Sequence, residues 1–372
     1  MASLRGWGVF NPKISLREFE TLLRRLIAIP SISGREHQLS AYLSNLLSSR
    51  GVNVRLVEAS GCGPSLLAYH QFKPGGRTLL FYGHLDTVEP EGWTSPFRAR
   101  LSKGRLYGLG ACDMKAGLAA LTLAFLRLRE ISELRGRLIL AMVSDEERYS
   151  RGCESLIGSG LLRNVDAAIS AEPTGLRRLE VGKMGRVAFK VEFSGRPNPT
   201  VRAAAFILAL ERLRLKGTPI STISVETGLN GDGRPSLCRV AVDRMLAPGE
   251  TFNDTLAEVE ALARRFRGKA SLHPRPTPYM QPYRLNGEEP IVRALKEACM
   301  EVLGFKPKSV LGLAGDENHL TVRCGIPTVT YGPKGGNMHR PNEYVELESG
   351  VRAAEVYVAA AIKFLSFELG KP

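Results

Sequence analysis

Three short apolar runs, RTLLFYG (77–83), RLILAMVS (137–144) and VDAAIS (165–170), set the tightest limit on how this chain can fold. Each has the length of a strand, and none shows the strict apolar/polar alternation of a strand with one wet face. Strands of that kind are covered on both sides, which is the habit of parallel sheets. Helical periodicity fills the intervals, in SLREFETLLRRLIAI (15–29), REHQLSAYLSNLLSSRG (35–51), LAALTLAFLRLREI (118–131) and around CESLIGSG (153–160). VNVRLVE (52–58) and SLLAYHQF (65–72) read as further strands. The alternation predicts an α/β fold, a mainly parallel sheet flanked by helices, with chemistry gathered at the carboxyl ends of its strands.

The pattern changes after about residue 180. LEVGKMGRVAFKVEFSG (179–195) alternates like one half-exposed antiparallel strand, and VRAAAFILALERLRLKG (201–217) is helical. PISTISVETG and LCRVAVDRML are strands, and ETFNDTLAEVEALARRFRG (250–268) is a second helix. Two helices on one face of a small sheet make an α+β unit. The proline-rich HPRPTPYMQPY (273–283) suits a linker back, after which helix EEPIVRALKEACMEVLG and strand-like IPTVTYG resume the first pattern. The expected organisation is one domain over 1–180 and 276–372 with an inserted domain over 181–275. A length of 372 residues is natural for two cores.

Composition narrows the class. With 44% hydrophobic and 24% charged residues the chain is an ordinary globular protein rather than a disordered one. The net charge of +14 is spread through segments such as LRLRE and ERLRLK, without a long basic block, so a nucleic-acid partner is not expected. Six cysteines lack any C-x-x-C pair, which argues against a disulfide scaffold or a zinc ribbon. No apolar run is long enough to span a bilayer, and MASLRGWGVFNPKIS lacks the apolar core of a signal peptide, so a cytoplasmic location without membrane attachment is expected.

The first apolar run ends by presenting His84 and Asp86, the second is followed by Glu146 and Glu147, and the third by Glu172. Asp113 lies in the glycine-rich GLGACDMKAG, and His339 follows strand-like IPTVTYG in PKGGNMH. Taken singly these residues have simple structural readings: Asp113 as a helix cap, the glutamates as a solvated helix start, Glu172 as a turn residue. Together they place at least four carboxylates and two imidazoles at one sheet edge, a self-repelling set unless cations are present. Imidazole and carboxylate donors without thiolates fit zinc, with cobalt or manganese as substitutes.

In order, GHLDTV, GLGACDMKAG, SDEE, AEPTG and YGPKGGNMHRPNEYV resemble the motifs of the dinuclear-zinc amidohydrolase and exopeptidase family, which includes acetylornithine deacetylase, succinyl-diaminopimelate desuccinylase, aminoacylase and glutamate carboxypeptidase. The resemblance runs from about residue 15 to the C-terminus. It implies that His84, Asp113 and Glu172 hold one zinc ion and that Asp113, Glu147 and His339 hold a second, with Asp113 shared. It further implies that Asp86 orients His84. Glu146 would be the general base for a metal-activated water that cleaves the amide of an N-acyl amino acid or a short peptide. Within the family the nearest activities are deacetylation of acetylornithine, desuccinylation of succinyl-diaminopimelate, and deacylation of amino-group-protected lysine or ornithine precursors. A carboxypeptidase or dipeptidase is the alternative.

The inserted segment resembles the family's lid and dimerisation domain, which implies a homodimer. Relatives carry a histidine after its first strand, whereas this chain reads FSGRPNPTVRAAA. His319 and His273 do not follow that motif, and Arg196 or Asn198 is the candidate replacement donor. The missing histidine also admits a metal-binding scaffold of weak activity, against which the retained Glu146 argues. Substrate carboxylates would be met by cations, for which Lys183, Arg186, Arg244 and Arg340 are candidates, with Asn337 as a possible contact to the substrate backbone.

Overall fold

The computed structural model describes residues 13–213 and 220–366. Two compact units are present: described residues of Met1–Val181, Leu285–Val310 and Cys324–Pro372 make the first, and Gly182–Arg284 with Leu311–Arg323 make the second. The second unit is thus drawn wider than the segment 181–275, and takes in residues from further along the chain.

The first unit opens with α1 (Leu16–Ala28) and α2 (His37–Ser48). Phe19, Leu22, Leu23, Leu26 and Ile27 are buried in α1, the stripe of an amphipathic helix. Ser15 stands at its N-cap position, but its side chain makes no capping bond. The chain continues through β1 (Asn53–Val57), β2 (Ser65–Gln71), β3 (Lys73–His84), the short strands β4 (Arg100–Ser102) and β5 (Arg105–Tyr107), α3 (Ala116–Leu128), β6 (Arg135–Val143), α4 (Arg151–Gly158), β7 (Ala167–Ser170) and β8 (Arg178–Lys183).

What reads as a single strand over 179–195 is two strands. β8 belongs to the large sheet, and β9 (Gly185–Ser194) belongs to another. The break falls at Met184, whose N–H donates to Gly312 O at 2.9 Å. At Gly185 a side chain would come within 2.5 Å of the Met280 carbonyl oxygen, so only glycine lets the chain pass there. Alternation alone does not mark such a point, because the side-chain period of two carries through the break.

The second unit is an antiparallel sheet in the order β10 (Ile220–Leu229), β11 (Pro235–Leu246), β9, β12 (Lys269–Leu272). Val187, Phe189, Val191 and Phe193 of β9 and Val240 and Val242 of β11 cluster with Phe206 and Leu210 of α5 (Pro199–Leu213) and Val259, Leu262 and Ala263 of α6 (Phe252–Arg265). The helical reading of 214–217 lies outside the described residues. β13 (Tyr283–Arg284) pairs with Lys183 and Gly182 within this unit.

The chain then forms α7 (Pro290–Leu303), β14 (Lys308–Gly312), α8 (Glu317–Cys324), β15 (Thr328–Thr330), β16 (Gly335–Gly336), β17 (Tyr344–Glu346) and α9 (Leu347–Leu365). In the first unit the sheet order is β1-β2-β6-β3-β7-β15-β8. β6/β3, β3/β7 and β7/β15 are parallel, whereas β1/β2, β2/β6 and β15/β8 are antiparallel. The sheet is therefore parallel in its middle and antiparallel toward both edges. α3 and α9 are buried almost all round, as their alanine-rich sequences require, and a small sheet in the order β16-β17-β5-β4 joins distant loops.

Candidate metal centre

Parallel strands that are neighbours in a sheet open their carboxyl ends side by side. β6, β3, β7 and β15 are consecutive neighbours. His84 is the last residue of β3, Glu146 and Glu147 follow the end of β6, and Glu172 follows β7 by two residues. Asp113 occupies an irregular turn ahead of α3, at φ −114° and ψ 97°. His339, at φ 61°, sits in the loop between β16 and β17.

Two glycines let these loops close on one another. A side chain at Gly117, in the first turn of α3, would meet Ala171 O at 2.3 Å, so glycine lets the helix carrying the Asp113 turn lie against the end of β7. A side chain at Gly335 would meet Cys112 Sγ at 2.5 Å, which brings the His339 loop against the same turn.

His84 Nε2 lies 3.2 Å from Asp113 Oδ1 and 3.3 Å from Glu172 Oε1. His339 Nε2 lies 3.1 Å from Asp113 Oδ2 and 2.9 Å from Glu147 Oε1. The donor atoms of His84, Asp113 and Glu172 all lie within 4.8 Å of one another, as do those of Asp113, Glu147 and His339. Asp113 therefore belongs to both groups and turns one oxygen toward each imidazole. Nitrogen and oxygen ligands held about 2.0–2.2 Å from a tetrahedral zinc ion stand roughly 3.3–3.5 Å apart, and the imidazole–carboxylate separations here approach that spacing. Donor type and spacing both fit a pair of divalent ions.

The electrostatics agree. Burial alone would depress the His84 pKa, but the Glu172, Asp113 and Asp86 carboxylates hold it well above the ordinary histidine value. Hydrogen bonds to Asp113 and Glu147 push His339 up to about 11. Asp113, despite a burial that would raise it, is pulled below the usual carboxylate range by the two imidazoles. Burial raises Glu147, with His339 opposing. The pocket thus attracts positive charge strongly enough to keep protons on both rings.

Three buried carboxylates hold the loops that carry these groups. The His84 Nδ1 partner at hydrogen-bond distance is the main-chain oxygen of Asp86, at 3.0 Å, while the Asp86 carboxylate stands off at 3.5 Å. That carboxylate instead accepts from Ser33 Oγ at 2.7 Å and from the backbone N–H groups of Glu146 and Glu147 at 3.0 and 3.1 Å. Asp86 therefore aims the histidine through its backbone and fixes the glutamate turn through its side chain. Glu36 accepts from the N–H groups of Gly34, Gly63 and Asp145 at 2.7, 2.7 and 3.2 Å. Glu343 accepts from Gly110, Cys112 and Asp113 at 2.9, 2.7 and 2.9 Å. Burial raises both of the latter, Glu343 up to about 7. Neither stands out in the sequence, although Glu343 lies inside the YGPKGGNMHRPNEYV stretch.

The model of peptidase family M20/M25/M40 matches residues 80–363, which span every one of these donors. This chain belongs to that family. It is 28% identical over 354 residues to a succinyl-diaminopimelate desuccinylase of Wolinella succinogenes, covering 88% of this chain and 94% of the relative. Among solved structures, a tripeptidase from Staphylococcus aureus superposes with a TM-score of 0.80 at 19% identity, over 95% of this chain and 99% of the other. A Bacillus subtilis M20 peptidase described as dinuclear and metal-binding gives 0.74 at 17% identity, over 94% and 98%. The M20 chain is a metal-dependent hydrolase of small-molecule or peptide substrates. Among the described residues no helix is long and apolar enough to cross a membrane.

The remaining candidates of this M20 hydrolase differ in how free they are. Lys183 Nζ lies 3.5 Å from Glu317 Oε1, with both residues buried. Arg186 pairs with Asp243 at 2.9 Å, and Arg244 is buried against Glu250 at 2.8 Å and Glu258 at 3.3 Å. Each of these three candidates thus already faces a carboxylate. Asn337 donates from Nδ2 to Asn342 O at 3.2 Å, and Arg340 is exposed beside His339. Asn198 Oδ1 accepts from the Thr200 N–H at 3.0 Å and so serves the start of α5, whereas Arg196 is exposed.

Proposed function

We propose that this M20 hydrolase removes the acyl group of an N-acyl amino acid, succinyl-diaminopimelate being the first substrate to try and acetylornithine the second. His84, Asp113 and Glu172 would hold one zinc ion, and Asp113, Glu147 and His339 the other. The observation that carries this reading is the division of Asp113, one oxygen to each imidazole. Bound there, the ions would supply Lewis acidity, polarising the scissile carbonyl and lowering the pKa of a water molecule.

Glu146 belongs to neither ligand group. Its backbone is anchored on Asp86 at 3.0 Å, which fixes where its side chain starts. Its carboxylate takes the proton of the attacking water and passes it to the departing amine nitrogen. Glu147, anchored next to it at 3.1 Å, is committed to His339. Adjacent glutamates thus divide into one that holds charge and one that moves protons. Arg340, exposed beside His339, is the candidate cation of the first unit for a substrate carboxylate.

The desuccinylase name of a relative that covers 88% of this chain supports the substrate class. A panel of N-succinyl, N-acetyl and dipeptide substrates, assayed on protein with its metal content measured, tests it. Release of free amine from the N-succinyl or N-acetyl compounds is expected. Turnover of dipeptides alone would replace the deacylase reading with a peptidase one.

The inserted segment 181–275 would serve as lid and dimerisation domain to a catalytic domain of 1–180 and 276–372. β10 supports this as the edge of its sheet, with Ile223, Val225 and Leu229 half or more exposed. Light scattering should give twice the chain mass, and Val225→Lys should halve it.

A further inference from the structure

Glu343 is 1% exposed and four residues beyond His339, at the entry to β17. Its Oε1 takes the N–H groups of Cys112 and Asp113, and its Oε2 takes that of Gly110. Three converging donors are more than an ordinary turn offers, and a carboxylate, with two oxygens to turn toward them, is the side chain suited to accept all of them. Its own backbone is tied on both sides, the carbonyl accepting from Gly108 N at 3.1 Å and the N–H donating to Arg340 O at 3.2 Å. β17 pairs with β5, whose last residue, Tyr107, stands opposite Tyr344.

One stretch of chain therefore carries His339 and also grips the turn that carries Asp113. The distance between His339 Nε2 and Asp113 Oδ2, 3.1 Å, is set through that grip. From this juxtaposition we infer that Glu343 is a positioning residue for the whole dinuclear centre: by fixing the backbone of 110–113 it aims both oxygens of Asp113, and so governs the retention of both ions at once. The inference rests on the reading of Asp113 as the shared ligand.

Glu343→Gln keeps the shape and removes one acceptor. Its amide oxygen can still serve Cys112 and Asp113, but its NH₂ then faces the Gly110 N–H, donor against donor. The turn must relax at one end or the other. The test is competitive removal of zinc from the metal-loaded protein by dipicolinate, with released zinc read by a chromophoric indicator and circular dichroism confirming that each variant is folded.

In wild type two ions per chain are expected. In Glu343→Gln both should leave at a chelator concentration at least ten-fold lower, the size of effect seen when a group supporting a metal ligand is lost. Leu295→Ala, which removes buried bulk from α7, lowers thermal stability without touching the 110–113 turn, and its zinc release should follow wild type. An unchanged release curve for Glu343→Gln overturns the inference. So does loss of only one ion, or an equal shift in Leu295→Ala. A wild-type chain that holds one ion or none defeats the reading of the site itself, a different result from a two-ion wild type with an indifferent variant.

Discussion

At the level of single residues, the proposed roles separate side chains that would hold metal from one, Glu146, that would move protons. Glu146→Gln keeps the size and removes the basic oxygen, so kcat should fall by about 10²–10⁴-fold, the usual contribution of a general base. Zinc content should stay at the wild-type value, because Glu146 is in neither ligand group. Measuring turnover and bound metal on one preparation checks both halves, and a variant that loses zinc in parallel with activity would make Glu146 a ligand. The donors were legible because each ends an apolar run or interrupts a glycine-rich turn, where a carboxylate or imidazole serves no packing purpose. Glu36 and Glu343 were not. A glutamate that accepts three backbone N–H groups does its work with main-chain atoms, which any sequence supplies, so nothing in the neighbouring residue types records it. Asp86 shows the same limit. Its presence beside His84 could be read, but its main partners are the N–H groups of Glu146 and Glu147, sixty residues away in the chain.

Among the elements, strand order does what no single residue could. β6, β3 and β7 are neighbours although they are far apart in sequence, and the crossings between them leave their carboxyl ends open together. The apolar runs made these strands readable, but not their order or their antiparallel edges, because pairing depends on contacts between distant segments. α9 is not among the helices read from the sequence, although α3, buried as completely, is. Gly117 is the point where element packing bears on the chemistry. Alanine there would set its Cβ 2.3 Å from Ala171 O, and overpacking of this kind costs about 1–3 kcal/mol. Gly117→Ala should therefore lower the melting temperature. It should also weaken zinc retention, since α3 must back away and take the Asp113 turn with it. A helix end without a ligand gives a contrast: Thr251 Oγ accepts from the Asp254 N–H at 3.2 Å at the start of α6, and Thr251→Ala should cost about 1 kcal/mol with zinc retention unchanged. Thermal melts paired with metal assays on both variants distinguish the two cases.

For the molecule as a whole, metal removal couples the site to stability, and pH supplies the sign. An ion present at about a thousand times its Kd stabilises the folded chain by roughly 4 kcal/mol. For a unit of this size that is on the order of 10 °C in Tm. Without metal, both imidazoles hold protons: hydrogen bonds to Asp113 and Glu147 put His339 at about 11, and the surrounding carboxylates keep His84 well above its ordinary value against the effect of burial. A histidine raised in the folded state adds stability that is complete below its unfolded pKa of about 6.5 and fades as pH rises toward the folded value. The metal-free chain should therefore lose this contribution progressively above pH 6.5. The loaded chain moves the other way, because an ion must displace those protons to reach the ring nitrogens and does so more easily as they become scarce. The Tm difference between zinc-loaded and chelated protein should consequently widen from pH 6 to pH 9. Groups away from the centre titrate alike in both forms and cancel in the difference. Calorimetry of zinc binding in buffers of different ionisation enthalpy should show protons released near neutral pH, up to two per chain. A Tm gap that stays flat or narrows with rising pH would mean that His84 and His339 are neutral without the ions, and that the cluster does not depend on cations for its charge balance.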